Sequence, residues 1–421
     1  MASCILENRW TVTPRMVYTY NYEAIPSLPL VNISLACNHC KEAACLKGCP
    51  AASYYREPST GAIVIEEHKC IGCRYCQWNC PYDAPKFDFE KRIIGKCNLC
   101  YSALLEGRLP ACANACPTGA LRFGELSEPA VFNWPVWFPD KNLNPSLEFT
   151  GKQNIVPLRI IPEKMFEQEM DVPARNEKQG TDNWSLVVFS FLTTLSVSIL
   201  ISSVIRGNFP DKTLFFLTLF LGGISSLFHA GRVTRVWRSL CNIKSSPLSR
   251  EIACFIIYSS LSLFAVITEF PAFLFASAAT GLILLLVIDS VYIYSDRRMS
   301  IIIHSGQTFL SALLIISFFT GSGIPFIFIA LIKIVTSAFS LTGNKKATTG
   351  FGIRFLRLAL LIITGISLIT GSTYPDLIIV SLFVIGEFLD RIIFYIDFNP
   401  LNINTLIQNH LIFGKDEKKR G

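Results

Sequence analysis

The sequence predicts an α+β module rich in cysteine, followed by an all-α bundle of eight membrane-spanning helices. Two observations predict this order: 13 of the 15 cysteines precede residue 117, and the chain after residue 183 consists largely of long apolar stretches. Apolar residues make up 51% of the chain and charged residues only 16%, which excludes a disordered chain and a coiled coil. A secreted disulfide scaffold is excluded as well, because it would not carry apolar sequence of membrane length.

The cysteines before residue 117 form three tetrads, each of which ends in Cys-Pro. The tetrads are Cys37, Cys40, Cys45 and Cys49; Cys70, Cys73, Cys76 and Cys80; and Cys97, Cys100, Cys112 and Cys116. This pattern is typical of bacterial ferredoxins, in which the fourth cysteine of one run ligates the neighbouring cluster. The spacing therefore predicts a double-ferredoxin-like module over residues 1–125. Structural zinc and disulfides are the alternatives, but zinc ribbons favour two distant Cys-x2-Cys pairs.

If the first two tetrads exchange their fourth cysteines, they form two complete [4Fe-4S] sites. We predict a first set of Cys37, Cys40, Cys45 and Cys80 and a second set of Cys70, Cys73, Cys76 and Cys49. The third set combines Cys97, Cys100 and Cys112 with Cys4, the only earlier cysteine, although Cys4 alone is easily incidental. Cys116 is then left over, so we hypothesise that a fourth tetrad ended at Cys4 and that its other cysteines lie upstream of Met1. We expect three clusters here, and a fourth if the N-terminus is truncated.

Residues 126–183 lie between the two parts and are rich in proline, asparagine and charge. They show no sustained helical or strand period, so we predict an extended linker. From Trp184 onward, apolar stretches close to the length that a bilayer requires recur eight times. The predicted spans, within an anchor over 184–400, are 184–205, 213–231, 251–270, 272–294, 300–320, 323–342, 352–371 and 375–397, and a basic tail follows at 401–421.

Lysine and arginine are distributed unevenly around these spans. Fifteen lie in the loops on the N-terminal side and in the tail, against only Arg206 and Lys212 opposite. The positive-inside rule then favours the cytoplasmic side for the cysteine module of an integral, multi-pass protein of the bacterial inner (plasma) membrane. Because the basic surplus borders apolar spans, it indicates membrane topology and not nucleic-acid binding.

Ionisable residues inside the spans are costly in hydrocarbon and are therefore informative. Six of them fall in the half of the bilayer nearer the N-terminal side, and these are His229, Asp289, His304, Glu387, Asp390 and Arg391. Glu387 and Arg391 are four residues apart and can share one helical face. A polar cluster of this kind suits oxidation of a quinol, which needs proton acceptors beside an electron acceptor. Helix packing through polar contacts is the alternative.

Two groups of motifs carry a resemblance to one family. Cys-Asn-His-Cys at 37–40, Cys-Ile-Gly-Cys-Arg-Tyr-Cys at 70–76 and the long-gap tetrad at 97–116 closely resemble the four-cluster electron-transfer subunit of the dimethyl-sulfoxide reductase family of molybdenum enzymes. Ser226-Leu-Phe-His-Ala-Gly-Arg, Ser249-Arg-Glu-Ile-Ala and Glu387-Phe-Leu-Asp-Arg-Ile-Ile-Phe-Tyr resemble its eight-helix anchor subunit. In that anchor, a histidine at the position of His229 belongs to the menaquinol site.

Together, the resemblances imply that the electron-transfer and anchor subunits are fused in one polypeptide. Such a chain would oxidise menaquinol from the quinone pool at a site with His229, Glu387 and Arg391. It would pass the electrons through its [4Fe-4S] clusters to a separate molybdopterin-containing catalytic subunit and would itself be non-catalytic. Two alternatives remain open: the reverse flow, from a formate- or sulfur-oxidising partner to quinone, and a non-catalytic redox-sensing membrane protein.

Overall fold

The computed structural model describes residues 1–20, 31–126, 138, 142–149, 183–295, 299–343, 351–370, 377–398, 400, 402, 403, 406 and 407. The chain forms two compact units. The first contains Met1–Arg175, Thr234–Ser246 and Pro400–Gly421, and the second contains Asn176–Val233 and Pro247–Asn399. All three cysteine tetrads therefore belong to the first unit.

Short strands and short helices alternate in the first unit. Three antiparallel hairpins pair β1 (Met16–Tyr20) with β2 (Val31–Leu35), β3 (Tyr54–Arg56) with β4 (Ile63–Ile65), and β5 (Lys86–Asp88) with β6 (Ile93–Gly95). The helices are α1 (Ala2–Asn8), α2 (Ala44–Gly48), α3 (Tyr75–Asn79), α4 (Tyr101–Leu105) and α5 (Ala111–Asn114). This arrangement agrees with the expected α+β, ferredoxin-like module.

Helices α2 and α3 both end at a cysteine that precedes a proline. Cys49 follows α2 with φ −70° and ψ 115°, and Cys80 follows α3 with φ −94° and ψ 106°. The following proline disfavours the helical conformation and forces an extended one, so each helix stops at this residue. The two helices pack closely, because a Cβ on Gly48 would lie 2.3 Å from Nδ2 of Asn79.

The core of the first unit collects residues from distant parts of the chain. Ile63 and Ile94 from the hairpins are buried together with Phe138, Ile403 and Ile407. The ring of Phe138 stacks on that of Tyr82 at a centroid distance of 5.1 Å. Phe138 falls in the predicted linker, and the two isoleucines Ile403 and Ile407 fall in the predicted tail. Most of those two ranges lies outside the described residues.

The described part of the second unit is mostly helical. Its helices are α6 (Trp184–Ile205), α7 (Lys212–Leu227), α8 (Pro247–Thr268), α9 (Pro271–Ser295), α10 (Met299–Ile302), α11 (Thr308–Phe319), α12 (Gly323–Gly343), α13 (Phe351–Ile369) and α14 (Leu377–Asp397). Helix α6 is buried along most of its length and packs against α7, α9, α11 and α14.

Three helices among the described residues are long and apolar enough to cross a membrane, and these are α6, α8 and α9. Helices α7 and α11 and the stretch 323–338 are apolar but shorter. The three long helices agree with the predicted spans 184–205, 251–270 and 272–294. The eight-span topology stays a prediction.

One predicted span is wrong as a continuous helix. The stretch 300–320 is divided into α10 and α11, and residues 303–307 between them are not helical. Side chains replace the helical hydrogen bonds at this break, since the N–H of Gly306 donates to Nδ1 of His304 at 2.9 Å and Arg391 donates to the carbonyl of Gly306 at 2.8 Å. Such bonds compete with the helical backbone and interrupt it.

Candidate iron–sulfur centres and buried polar network

The first predicted cysteine set lies around one cavity of the first unit. Cys37, Cys40, Cys45 and Cys80 line this cavity together with Lys96. Three of the thiols come from α2 and the loop before it, whereas Cys80 arrives from the end of α3. The structure thus brings together the four cysteines that the spacing assigns to the first site.

The second set lies around a separate cavity. Its lining includes Cys49, Cys70, Cys73 and Cys76, with Tyr54 among them. Tyr54 also interacts electrostatically with Cys45 of the first set. Its side chain therefore interacts with thiols of both sets, a position that the sequence motifs did not indicate.

The third set is assembled from both ends of the cysteine-rich region. Buried Cys4 on α1 interacts electrostatically with Cys100 and Cys112, and Cys97 interacts with Cys4. Nδ2 of Asn8, one turn after Cys4, lies 3.3 Å from Sγ of Cys100. Helix α1 therefore places Cys4 near the other three members, and their assignment to a third cluster stays a prediction.

The three Cys-x2-Cys loops share one backbone feature. The residue before the second cysteine has a left-handed φ in each of them, 44° at His39, 70° at Gly72 and 63° at Leu99. This conformation is uncommon for residues other than glycine. It curls the loop and turns successive N–H groups to one side, which favours an anionic group in the concavity.

Burial favours the neutral form of several thiols in these sets. Desolvation raises the pKa of Cys4 to about 11, with Cys100 and Cys112 adding to the shift. It likewise raises the pKa of Cys80 to about 11 and that of Cys97 to about 12. Thiols whose pKa is raised in this way ionise more readily beside a positive group, such as the iron of a cluster.

A cluster and a single zinc ion require different arrangements of their donor atoms. Zinc requires its ligand atoms about 2.0–2.3 Å from one point. Within the described ranges, no three His, Cys, Asp or Glu side chains are grouped closely enough to hold one metal ion. Four thiols spread around a cavity fit the larger [4Fe-4S] group, in which each sulfur binds a different iron.

Cys116 stands outside the three sets. Its half-buried Sγ accepts a hydrogen bond from the N–H of Leu121 at 3.4 Å and lies 3.6 Å from Oγ1 of Thr118. These hydrogen bonds, that of Leu121 first, lower the pKa of Cys116 to about 7. Its assignment to a fourth cluster stays a prediction.

A segment from far along the chain completes the surroundings of the second set. Residues Thr234–Ser246 belong to the first unit. Nη1 of Arg235 donates to the carbonyl of Cys70 at 3.2 Å, and Nδ2 of Asn242 donates to the carbonyl of Cys49 at 2.8 Å. The sequence showed only a basic loop between two apolar stretches here, so these contacts were not predicted.

The second unit contains a buried network of ion pairs. Lys333 is fully buried, is hydrogen-bonded to Glu387 and lies 3.0 Å from Asp390. Its Nζ also donates to Oγ of Ser311 at 2.9 Å, and Arg357 lies 3.2 Å from Asp390. Glu387 is therefore paired with a lysine on α12. Among the ion pairs of the described residues, none joins Glu387 to Arg391, which lies four residues further along α14.

His304 belongs to the same region. Its Nε2 lies 2.9 Å from Oδ2 of Asp397, whose other oxygen accepts a hydrogen bond from Arg354 at 2.5 Å. The neighbouring Ser305 donates to Asp390 at 2.9 Å. These bonds join the break between α10 and α11 to α13 and α14.

Arg391 is held by uncharged partners. Its Nε donates to Oγ of Ser190 at 2.8 Å, and its Nη1 donates to the carbonyl of Gly306. Among the described residues, its buried Nη2 has no hydrogen-bond partner. Glu251 is buried on α8 and interacts electrostatically with Arg391 and Asp289. The sequence motifs contained Glu251 but gave it no role.

Asp289 and His229 differ in their surroundings. Asp289 accepts hydrogen bonds from the N–H groups of Thr308 and Phe309 at 2.9 and 3.0 Å, so it caps the N-terminus of α11 from a neighbouring helix. His229 lies in the turn after α7, which ends at Leu227, and is half-buried. It is thus placed beyond the helix that the span 213–231 predicted.

Replacement of Lys333 by methionine is expected to lower the free energy of unfolding by about 3–5 kcal/mol, because Glu387 and Asp390 then remain as buried carboxylates beside fewer cations. Unfolding of the purified protein in detergent, followed by circular dichroism, measures the change. Lys212→Met is the matched control. In the ion pair that this variant removes, Nζ of Lys212 lies 2.7 Å from Oε1 of Glu269, and both side chains are about half-exposed. Its loss should therefore lower the free energy of unfolding by at most about 1 kcal/mol. Equal losses in the two variants would contradict this assignment.

A match to a family model identifies the class of domain at the N-terminal end of the chain. Residues 30–126 match the family model described as "4Fe-4S dicluster domain". This range contains the first and second cysteine sets complete. The N-terminal part of the chain is therefore a ferredoxin-like iron–sulfur domain, and a mostly helical region follows it.

Individual relatives are subunits of oxidoreductases. The chain is 45% identical over 96 residues to "Probable anaerobic dimethyl sulfoxide reductase chain YnfG" of Escherichia coli, which covers 23% of this chain and 46% of the relative. It is 34% identical over 119 residues to a sulfite dehydrogenase subunit of Allochromatium vinosum, covering 27% and 50%. It is 41% identical over 96 residues to "Formate dehydrogenase iron-sulfur subunit" of Haemophilus influenzae, covering 23% and 31%. The chain thus spans half or less of the length of these relatives.

Proposed function

We propose that this chain is the electron-transfer and membrane-anchor subunit of a respiratory molybdopterin oxidoreductase of the dimethyl-sulfoxide reductase type. Its cysteine sets would hold [4Fe-4S] clusters, and its helical region would oxidise menaquinol. The observation that carries the proposal is the assembly of the cysteines into three sets within one unit. The relatives support it, because each of the three named above is a subunit of a dehydrogenase or reductase.

The three sets are suited to act as a relay. Tyr54 lines the second cavity and interacts with Cys45 of the first set. Lys96 lines the first cavity and donates to the carbonyl of Cys97 in the third set at 2.7 Å. These two side chains support the order second, first, third along the unit. Bound clusters would supply one-electron carriers, and the protein would hold them close together and away from water.

We propose that electrons enter this relay at the second set. The segment Thr234–Ser246 follows α7 and precedes α8 in the sequence, and it is hydrogen-bonded to the backbone at Cys49 and Cys70. The chain therefore enters and leaves the helical region on either side of a segment that contacts this set, which supports the proposal. The third set, which includes Cys4, would then pass electrons toward a catalytic subunit.

The quinol site would use residues of the second unit. Oxidation of a quinol releases two electrons and two protons, so the site needs proton acceptors as well as the clusters. We propose that Glu251 and His229 accept the protons and that Arg391 binds a quinone oxygen through its Nη2. Glu251 suits the first role better than Glu387, because Glu387 is already paired with Lys333. In this proposal Glu387 keeps Lys333, and through it Asp390, in place.

The membrane arrangement is also part of the proposal. Eight spans over 184–400 would anchor the chain in the bacterial inner membrane, and the basic loops favour the cytoplasmic side for the iron–sulfur domain. The lipid bilayer and the quinone pool would then be partners of the chain, besides the molybdopterin-containing subunit.

Reverse electron flow is the second candidate function. The sulfite dehydrogenase and formate dehydrogenase relatives favour it, because a dehydrogenase takes electrons from its substrate. In that case the third set would receive electrons and the second set would deliver them to quinone. The same residues would hold the clusters in both directions.

Purification of the native complex tests the proposed function. We expect the chain to copurify with a larger subunit that contains molybdenum, and a menaquinol analogue should reduce its clusters, as measured by electron paramagnetic resonance. Reduction of the clusters by sulfite or formate, with quinone as the acceptor, would support the reverse direction instead. A preparation that lacks both a molybdenum-containing partner and a cluster signal would refute both.

A further inference from the structure

Lys96 occupies an unusual position for a lysine. It follows β6 directly, and only 1% of its surface is exposed. Its Nζ donates hydrogen bonds to the carbonyls of Ile63 and Cys97, the latter at 2.7 Å, and lies 3.4 Å from Sγ of Cys37. The side chain thus joins a thiol of the first set to the backbone of a cysteine in the third.

No carboxylate in the described ranges neutralises this ammonium group. Its hydrogen-bond partners there are two carbonyls and one thiol, and it takes part in none of the ion pairs of the described residues. A fully buried lysine is rare unless a negative charge is near, because desolvation of the cation is costly. The negative charge that fits this position is that of the first cysteine set as thiolates bound to a cluster.

The charge of a bound cluster connects Lys96 to redox chemistry. A [4Fe-4S] cluster with four thiolates is anionic, and one-electron reduction makes it more so. A buried cation 3.4 Å from a ligand sulfur stabilises the reduced form more than the oxidised form, and the low effective dielectric constant of the interior strengthens this difference. Hydrogen bonds to cluster sulfurs and the net charge nearby are known to set the reduction potential.

We propose that Lys96 raises the reduction potential of the cluster in the first set and so favours the reduced form of this cluster. The proposal rests on the proposed function, since it requires a cluster bound by Cys37, Cys40, Cys45 and Cys80. The effect of Lys96 can nevertheless be tested apart from that function, because the relay order and the cysteine ligands would remain if Lys96 carried no charge.

The test is a redox titration of the complete protein, followed by electron paramagnetic resonance. The first-set signal is assigned as the one lost in Cys45→Ala. In Lys96→Met, we expect its midpoint potential to fall by an amount equivalent to at least a tenfold change in the ratio of reduced to oxidised cluster. For a one-electron couple, that change corresponds to about 59 mV. The second-set signal should move less, since Lys96 does not line that cavity.

Lys47→Met is the matched control, because it removes the same charge two residues from Cys45. The Lys47 side chain is about half-exposed and pairs with Glu42, so solvent screens its charge and the potential should not change. Lys96→Arg keeps the charge and should stay near the wild-type potential. A first-set potential that is unchanged in Lys96→Met would overturn the proposal.

A second neutral variant keeps the test decisive if Lys96→Met does not retain the cluster. Lys96→Gln retains a hydrogen-bond donor and removes the charge, so it should keep the cluster and show the lowered potential. Wild-type potential in Lys96→Gln would overturn the proposal and assign Lys96 a structural role. Absence of all cluster signals from the wild-type protein would instead refute the proposed function, so the two failures are distinguishable.

Discussion

Replacement of Cys76 by alanine is expected to remove the second cluster and to lower the iron content of the purified protein by about a third, if three clusters are bound. Cys76 is buried and lines the second cavity with Cys49, Cys70 and Cys73. Alanine leaves one iron of the cubane without a protein ligand and opens a void beside Tyr54. Because the second set is the proposed first carrier, quinol-dependent reduction of the remaining clusters should be lost as well.

The measurement combines iron and sulfide analysis with electron paramagnetic resonance of the dithionite-reduced protein. Cys241→Ala is the matched control, because Cys241 lies in the same unit but is exposed and belongs to no set. Its iron content and spectrum should equal those of the wild type. Full iron content in Cys76→Ala would show that the second set does not ligate a cluster.

Replacement of Glu251 by glutamine is expected to slow quinol-dependent reduction of the clusters by about 10²–10⁴-fold, the usual contribution of a general base. Glutamine keeps the shape of the side chain but cannot accept a proton in the working range. Reduction by dithionite, which bypasses the quinol, should be unchanged. Stopped-flow reduction with a menaquinol analogue gives the rate, and the dithionite-reduced spectrum checks that the clusters are intact.

Two control variants separate this role from a general need for charge. Glu269→Gln removes a carboxylate that is about half-exposed and paired with Lys212, and it should leave the rate unchanged. Glu387→Gln breaks the buried pair with Lys333, so its main effect should be a lower free energy of unfolding. The rate of quinol oxidation per folded molecule should change little. If Glu387→Gln lost quinol oxidation while Glu251→Gln retained it, the proton acceptor would be Glu387, as the sequence motifs first suggested.

The cysteine sets could be predicted from the sequence because cluster ligation imposes local spacing. Cys-x2-Cys loops and the Cys-Pro ends predicted the exchange of Cys49 and Cys80, and the structure brings both residues to the expected cavities. Cys4 was harder to assign, since only the count of cysteines pointed to it. The structure places it beside Cys100 and Cys112.

Other contacts were beyond sequence reasoning because they depend on tertiary packing. Lys96 is one ordinary lysine before a cysteine motif, and only the fold shows that it is buried beside Cys37. The partner of Glu387 was missed because Lys333 is 54 residues away in the chain. The break at 303–307 was missed because its sequence is apolar on both sides, while the bonds that interrupt the helix come from Asp390, Arg391 and Asp397.

The burial of Ile403 and Ile407 in the core of the first unit has a consequence for biogenesis. Domains generally fold as units during synthesis, N-terminal first. Here the iron–sulfur domain lacks part of its apolar interior until the ribosome has passed codon 407, after the helices of the second unit. Maturation of this domain is therefore expected to be post-translational, and a message that stops before codon 403 should yield a product in which the metal centres are poorly retained.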